Sequence, residues 1–146
     1  MQNEIINIIN ALFSGADERN WEKVKSTFAD EVLLDYSVLS GNPATLLTPD
    51  VIITACKALL PGFDQTKHQP ENFAVKQNND KATVHYFAKA DHFLGDDEWT
   101  VEANYDTGLI KTTDGWKVNS HKISNVKQSG NVNLPAKAME IVKSKK

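Results

Sequence analysis

Between residues 99 and 126 the chain alternates. Trp99, Val101, Ala103, Tyr105, Thr107 and Leu109 are mostly apolar, and Thr100, Glu102, Asn104 and Asp106 between them are polar. Side chains alternate across a strand, so this pattern predicts one packed face and one wet face. Thr112-Thr113-Asp114-Gly115 supplies turn chemistry, because Gly tolerates positive φ and Asp bonds its own backbone. Residues 116–126 then return as the partner strand. Two strands alone are marginal in water, so the rest of the chain must cover their packed face.

Helical spacing of Ile5, Ile6, Ile9, Leu12 and Phe13 predicts an amphipathic helix over residues 2–14, ended by Ser14-Gly15-Ala16. Asp17 is placed to cap a second helix with Trp21, Val24 and Phe28 on its buried stripe. Residues 32–36 read as a short strand and Gly41-Asn42-Pro43 as a loop. Thr48-Pro49-Asp50 is a helix start. Its apolar face runs through Val51, Ile52, Ala55, Cys56, Leu59 and Leu60 to a stop at Pro61-Gly62. Residues 63–70 read as a loop holding His68. Strands follow at 73–77 and 82–94, joined by the turn Asn78-Asn79-Asp80. Gln128-Ser129-Gly130-Asn131 breaks the pattern before a short helix over 134–142. The expected division is one domain over residues 1–130 and a tail or short helix over 131–146. Helices first and a mostly antiparallel sheet afterwards make an α+β layout, with the sheet curled around a pocket.

Composition narrows the function classes. A chain of 146 residues suits one domain, and a domain of this size buries about 70% of its unfolded surface without disulfide or metal. Net charge is −3, and Arg19 is the single arginine. A nucleic-acid face needs clustered positive charge, so no nucleic-acid partner is expected. Lys143, Lys145 and Lys146 read as a solvated tail. Cys56 is the lone cysteine and reads as a buried helix residue; a chain without internal disulfides fits a reducing compartment. No secretory leader is visible at the N-terminus, and no apolar run reaches the roughly 18 residues of a membrane span. The expectation is therefore a cytoplasmic protein with no membrane partner. No histidine pair has metal-site spacing, and there is no phosphate-cradling Gly loop or nucleophile elbow, so neither metal nor cofactor is expected.

Four stretches carry a family resemblance: Gly15-Ala16-Asp17-Glu18-Arg19-Asn20-Trp21, Phe28-Ala29-Asp30-Glu31, Gln65-Thr66-Lys67-His68, and residues 105–118 through Asp114-Gly115-Trp116-Lys117-Val118. In order and spacing the chain resembles the NTF2-like superfamily, and within it the SnoaL-like branch. That resemblance implies a cone-shaped (cystatin-like) α+β barrel with N-terminal helices packed on a strongly curved sheet around a pocket. It also implies an Asp–His pair of the kind used by scytalone dehydratases and hexachlorocyclohexane dehydrochlorinases, carried here by Asp17 and His68. A neutral imidazole removes a proton near neutral pH, and a carboxylate on its other nitrogen fixes the tautomer. The sequence leaves two roles open for Asp17, helix cap and orienter of His68, and they are compatible.

The dehydrochlorinases carry a Lys five residues before the Asp and a late pocket Arg. Here the first position is Leu12 and no late Arg exists. Tyr36, Tyr86 and Tyr105 are candidates for the tyrosines with which scytalone dehydratases polarise a carbonyl. Matching ketosteroid isomerase puts Tyr36 at the base position and Asp35 one residue early, on the wrong face. Phe13, Trp21, Tyr36, Phe63, His92, Trp99 and Tyr105 are the expected pocket lining. His85 and His121 read as surface or interface residues, and a face with Lys111, Asn119 and His121 as a partner surface. The functional expectation is a lyase or isomerase acting on a small hydrophobic or hydroxylated carbonyl compound. The alternative is a non-catalytic ligand-binding or dimerising domain. A homodimer is expected in either case.

Overall fold

The computed structural model describes residues 2–144. Helix α1 (Gln2–Glu18) and the short α2 (Trp21–Ser26) lead into β1 (Phe28–Asp35). A single turn, α3 (Ser37–Ser40), and β2 (Thr45–Leu47) precede α4 (Pro49–Lys57) and a 3-10 turn at Leu60–Gly62. Four long strands follow, β3 (Gln65–Asn78), β4 (Lys81–Leu94), β5 (Asp97–Thr112) and β6 (Gly115–Gly130), and α5 (Leu134–Ser144) ends the described chain. The sheet has six strands in the order β2-β1-β6-β5-β4-β3. All neighbours are antiparallel except β1 and β6, which run parallel.

The alternation read from residues 99–109 is the inner face of β5. Trp99, Val101, Ala103, Tyr105, Thr107 and Leu109 are all buried. Ala103, Tyr105 and Leu109 meet the inward residues of β4 and the apolar stripe of α1, with Ile5 and Ile9 fully buried. A second cluster joins Phe63, Trp99 and Val101 to Leu134 and Ala138 of α5. Gly62 makes that docking close: a Cβ there would lie 2.0 Å from the Ala138 carbonyl oxygen. Register shifts interrupt β3–β4, β1–β6 and, twice, β5–β6. Such bulges bend and twist strands, which lets the sheet curl.

Several boundaries differ from expectation. Helix α1 does not stop at residue 14 but runs to Glu18. Gly15 serves close packing instead, since a Cβ there would lie 2.9 Å from Val24 Cγ2. The helix ends at Arg19, whose φ is +59°. The Asn20 N–H reaches the Gly15 carbonyl at 2.8 Å and the Arg19 N–H the Ala16 carbonyl at 3.2 Å, the paired bonds of a left-handed helix stop. Asn20, not Asp17, caps α2 through its side chain to the Lys23 N–H. Phe28 starts β1, earlier than residue 32. Residues 65–70, read as loop, belong to β3, and β6 continues past 126 to Gly130. Val51 is exposed and Ile53 takes the buried place on α4. Lys143 lies exposed in α5, and Lys145 and Lys146 fall outside the described residues.

Candidate active site

Asp17 sits in the last turn of α1, where the helix end turns its side chain toward β3. Strand β3 is an edge strand with a partner on one side only, so half of its N–H groups point away from the sheet. Asp17 collects one of them: the His68 N–H donates to Oδ2 at 2.8 Å. The other carboxylate oxygen, Oδ1, accepts from Thr66 Oγ1 at 2.9 Å and lies 2.5 Å from His68 Nδ1. Arg19, held at the helix stop, donates to Thr66 Oγ1 at 2.9 Å and to the Leu60 carbonyl at 2.7 Å. The Asp17 carboxylate only accepts, so Thr66 gives its own proton to Asp17. The expected cap role of Asp17 is therefore replaced by a clamp on β3. Burial raises the Asp17 carboxyl, but the hydrogen bond and charge of His68, its backbone N–H and the Thr66 hydroxyl outweigh this and hold it below its ordinary value.

The clamp fixes the imidazole. An ionised carboxylate only accepts, so His68 Nδ1 carries a proton, and in the neutral ring Nε2 is the bare nitrogen. The ring stacks on Phe13 with centroids 5.3 Å apart and forms part of the wall of a cavity of about 310 Å³. Leu12, Phe13 and Ala16 of α1 form one side, Tyr36 and the α4 residues Ile52 and Cys56 another, and His92, Trp99, Tyr105 and His121 of the sheet the rest. Among the described residues no lysine, arginine, aspartate or glutamate lines it. Burial pushes the Tyr36 hydroxyl well up and Tyr105 to about 12. Burial also raises the Cys56 thiol, which keeps it protonated and unreactive. Asp35 lies off the cavity, bonded to Ser37 Oγ at 2.6 Å.

Of the expected lining, Phe13, Tyr36, His92, Trp99 and Tyr105 face the cavity. Trp21 does not: on the six-residue α2 it packs on the rim of the main core. Phe63 does not either. It lies beneath His92 and Trp99, with its ring 4.9 Å from His92, as part of the cluster under α5. His121 is the largest correction. It is 4% exposed and lines the cavity, so it forms no part of an outer partner surface. His85 is on the outer face as expected, where it pairs with Asp106 at 2.7 Å in the open.

Two of these histidines make the fold acid-sensitive. His92 donates from Nδ1 to the Trp99 carbonyl at 2.9 Å, and burial lowers it to about 4. His121 is likewise lowered to about 4, by burial and then by the charge of His68. A depressed histidine stays neutral in the fold while its unfolded counterpart takes a proton below about 6.5. Unfolding free energy is thus expected to be full above that pH and to fall as pH drops toward 4, by roughly 3 kcal/mol per histidine at most. Denaturant titrations at pH 7 and pH 4.5 measure it, and a stability flat across that window would contradict the burial of both rings.

Residues 2–122 match a family model described as SnoaL-like domain. A search of curated proteins gives no match. Among solved structures, the Kfla4162 protein of Kribbella flavida superposes with a TM-score of 0.83 at 23% identity, covering 97% of this chain and 96% of its own. A protein proposed to be a scytalone dehydratase from Novosphingobium aromaticivorans gives 0.77 at 14% identity, with 89% and 87% covered. The hexachlorocyclohexane dehydrochlorinase LinA-type3 of Novosphingobium barchaimii gives 0.75 at 15%, with 90% of each chain covered. At these identities the structures share the fold, a cystatin-like α+β cone of the NTF2 type.

Proposed function

The chain belongs to the SnoaL-like domain family, and from that premise we propose that it is a cofactor-independent lyase that eliminates water from a small, uncharged hydroxylated carbonyl compound. One observation carries this reading: the His68 ring is clamped on Asp17 through Nδ1 while it faces an apolar cavity without charged lining. His68 is the base and Asp17 its orienter. Nε2 takes the proton from the carbon between the carbonyl and the carbinol carbon. The released electron pair forms the enolate, then the new C=C bond, and the C–O bond breaks. The imidazolium returns its proton to the departing oxygen, which leaves as water. Asp17 stabilises the imidazolium meanwhile. The Tyr105 hydroxyl, which lines the cavity and is pushed up to about 12 by burial, keeps its proton to hold the leaving oxygen.

The missing cations support an uncharged substrate. Leu12 lines the cavity where a dehydrochlorinase-like site would hold a lysine, and among the described residues no lysine or arginine lines it to meet a departing anion such as chloride. A leaving hydroxyl that collects a proton needs no such charge. The benzaldehyde–acetone aldol tests the reading. It is uncharged, and its dehydration product, benzylideneacetone, has a new ultraviolet band. Enone formation above the buffer rate is the expected result. A protein that binds such compounds without turnover would be a ligand-holding domain instead.

A further inference from the structure

Three histidines line one cavity, and their protons are not placed alike. His68 and His92 each donate from Nδ1 to an oxygen that only accepts, the Asp17 carboxylate and the Trp99 carbonyl. In the neutral ring each therefore has a bare Nε2. His121 has a hydroxyl partner instead. Its Nδ1 lies 2.9 Å from Thr107 Oγ1, and Thr107 Oγ1 lies 2.8 Å from the Tyr86 hydroxyl. The three residues are 4%, 0% and 1% exposed, so water does not settle the direction of this chain.

Proton counting does. Thr107 has one hydroxyl proton. If Tyr86 donates to Thr107 and Thr107 donates to His121 Nδ1, both hydroxyl protons are used and the one spare donor, His121 Nε2–H, lies on the cavity wall. In the reverse direction His121 Nδ1–H donates to Thr107 and Thr107 to Tyr86, and the phenolic proton of Tyr86 is left without an acceptor in the core. An unmatched buried donor costs about 1–3 kcal/mol. The chain thus runs from Tyr86 through Thr107 to His121, and Nδ1 of His121 accepts. Its ring is neutral near pH 7, because burial lowers it. The proton of the neutral ring then sits on Nε2, which has no protein partner among the described residues. His121 packs 6.0 Å from the Phe13 ring that also stacks on His68, and 5.2 Å from Tyr105. An N–H without a protein partner on an apolar cavity wall is a site for an acceptor oxygen.

We propose that His121 Nε2–H is the donor that takes the carbonyl oxygen of the substrate, and that Thr107, with Tyr86 donating behind it, is the positioning residue that sets its tautomer without touching the substrate. This rests on the elimination reading and deepens it: the donor stabilises the enolate oxygen while His68 removes the proton. It also defines the ligand as a neutral carbonyl compound, because a neutral imidazole N–H holds a ketone oxygen and gives little to a carboxylate that carries its charge into an uncharged wall.

Ring 15N spectra of the whole protein test this without turnover. At pH 7.5 the wild type is expected to show His121 protonated at Nε2, while His68 and His92 are protonated at Nδ1. Benzylideneacetone, used as the probe, is expected to move the His121 Nε2–H resonance on binding. Tyr86→Phe keeps the ring but removes the first donor. Thr107 keeps its proton for Nδ1, so the Nε2–H tautomer should persist there, whereas Thr107→Val removes that donor, lets the tautomer shift toward Nδ1–H and should weaken probe binding about tenfold. A wild-type His121 protonated at Nδ1 overturns the proposal, with no variant needed. So does a probe that fails to bind, or binds and leaves the Nε2–H resonance in place. If the tautomer and probe results hold but the aldol is not dehydrated, the elimination reading fails and the carbonyl site stands.

Discussion

His68→Ala is expected to lower kcat for dehydration of the benzaldehyde–acetone aldol by about 100- to 10,000-fold, the usual contribution of a positioned general base. The fold should survive. The His68 side chain faces the cavity, and its backbone N–H, which anchors Asp17 at 2.8 Å, remains in the variant. Thr66 still donates to Asp17 as well. The expected signature is lost turnover with an unfolding midpoint close to that of the wild type. KM should change little, because the apolar walls that bind the substrate are untouched. Activity within threefold of the wild type would remove His68 from the chemistry.

Asp17→Asn should be nearly as damaging to turnover and worse for stability. Its two carboxylate oxygens accept three donors: the Thr66 hydroxyl, the His68 N–H and the His68 ring. An amide offers one acceptor and brings two donors of its own. One of the three bonds becomes a donor facing a donor, and His68 keeps its Nδ1 proton only by giving up another. The expected loss is about 1,000-fold in kcat or more, by wrong tautomer and lost imidazolium stabilisation. About 1–3 kcal/mol of folding stability should go with it, because the β3 clamp is charge-assisted. The double variant with His68→Ala should cost little more in kcat than either single change, since the two act as one unit. Additive losses would mean that Asp17 acts separately from His68.

Much of this frame is legible in the chain itself, and the failures have local causes. The alternation over 99–109 translates directly into the inner face of β5, because a long central strand has two neighbours to hold its register. The stretch 65–70 reads as loop because Gln65, Lys67, Gln69 and Pro70 are poor strand formers. Pairing with β4, His68 against Ala90 and Pro70 against Ala88, overrides that local preference. An edge strand tolerates the proline, and the same edge leaves the His68 N–H free for Asp17. The pairing of Asp17 with His68, implied by family resemblance, could not come from spacing alone, since 51 residues separate them.

One residue of register decides the place of His121. Counting alternately from the buried Trp116 and Val118 puts residue 121 on the outer face. In the sheet Leu109 pairs with Val118 and Gly108 with Ser120, so Asn119 is an extra residue in β6. That bulge reverses the parity beyond it and turns His121 and Ile123 inward. Nothing in the local composition marks it. The roles of Thr66 and Arg19 are illegible in the sequence for a different reason. Their contribution lies in hydrogen bonds between α1, β3 and the turn at Leu60, and only the assembled fold makes those contacts.

The central claim is that His68 removes a proton from carbon next to a carbonyl, and isotope exchange reads that step alone. Benzylacetone, the saturated ketone, offers such protons but no leaving group. Incubated with the protein in D2O, it should gain deuterium beside its carbonyl, followed by proton NMR, and His68→Ala should abolish the exchange. Wild-type protein that saturates with the ketone yet exchanges no faster than buffer would contradict the account.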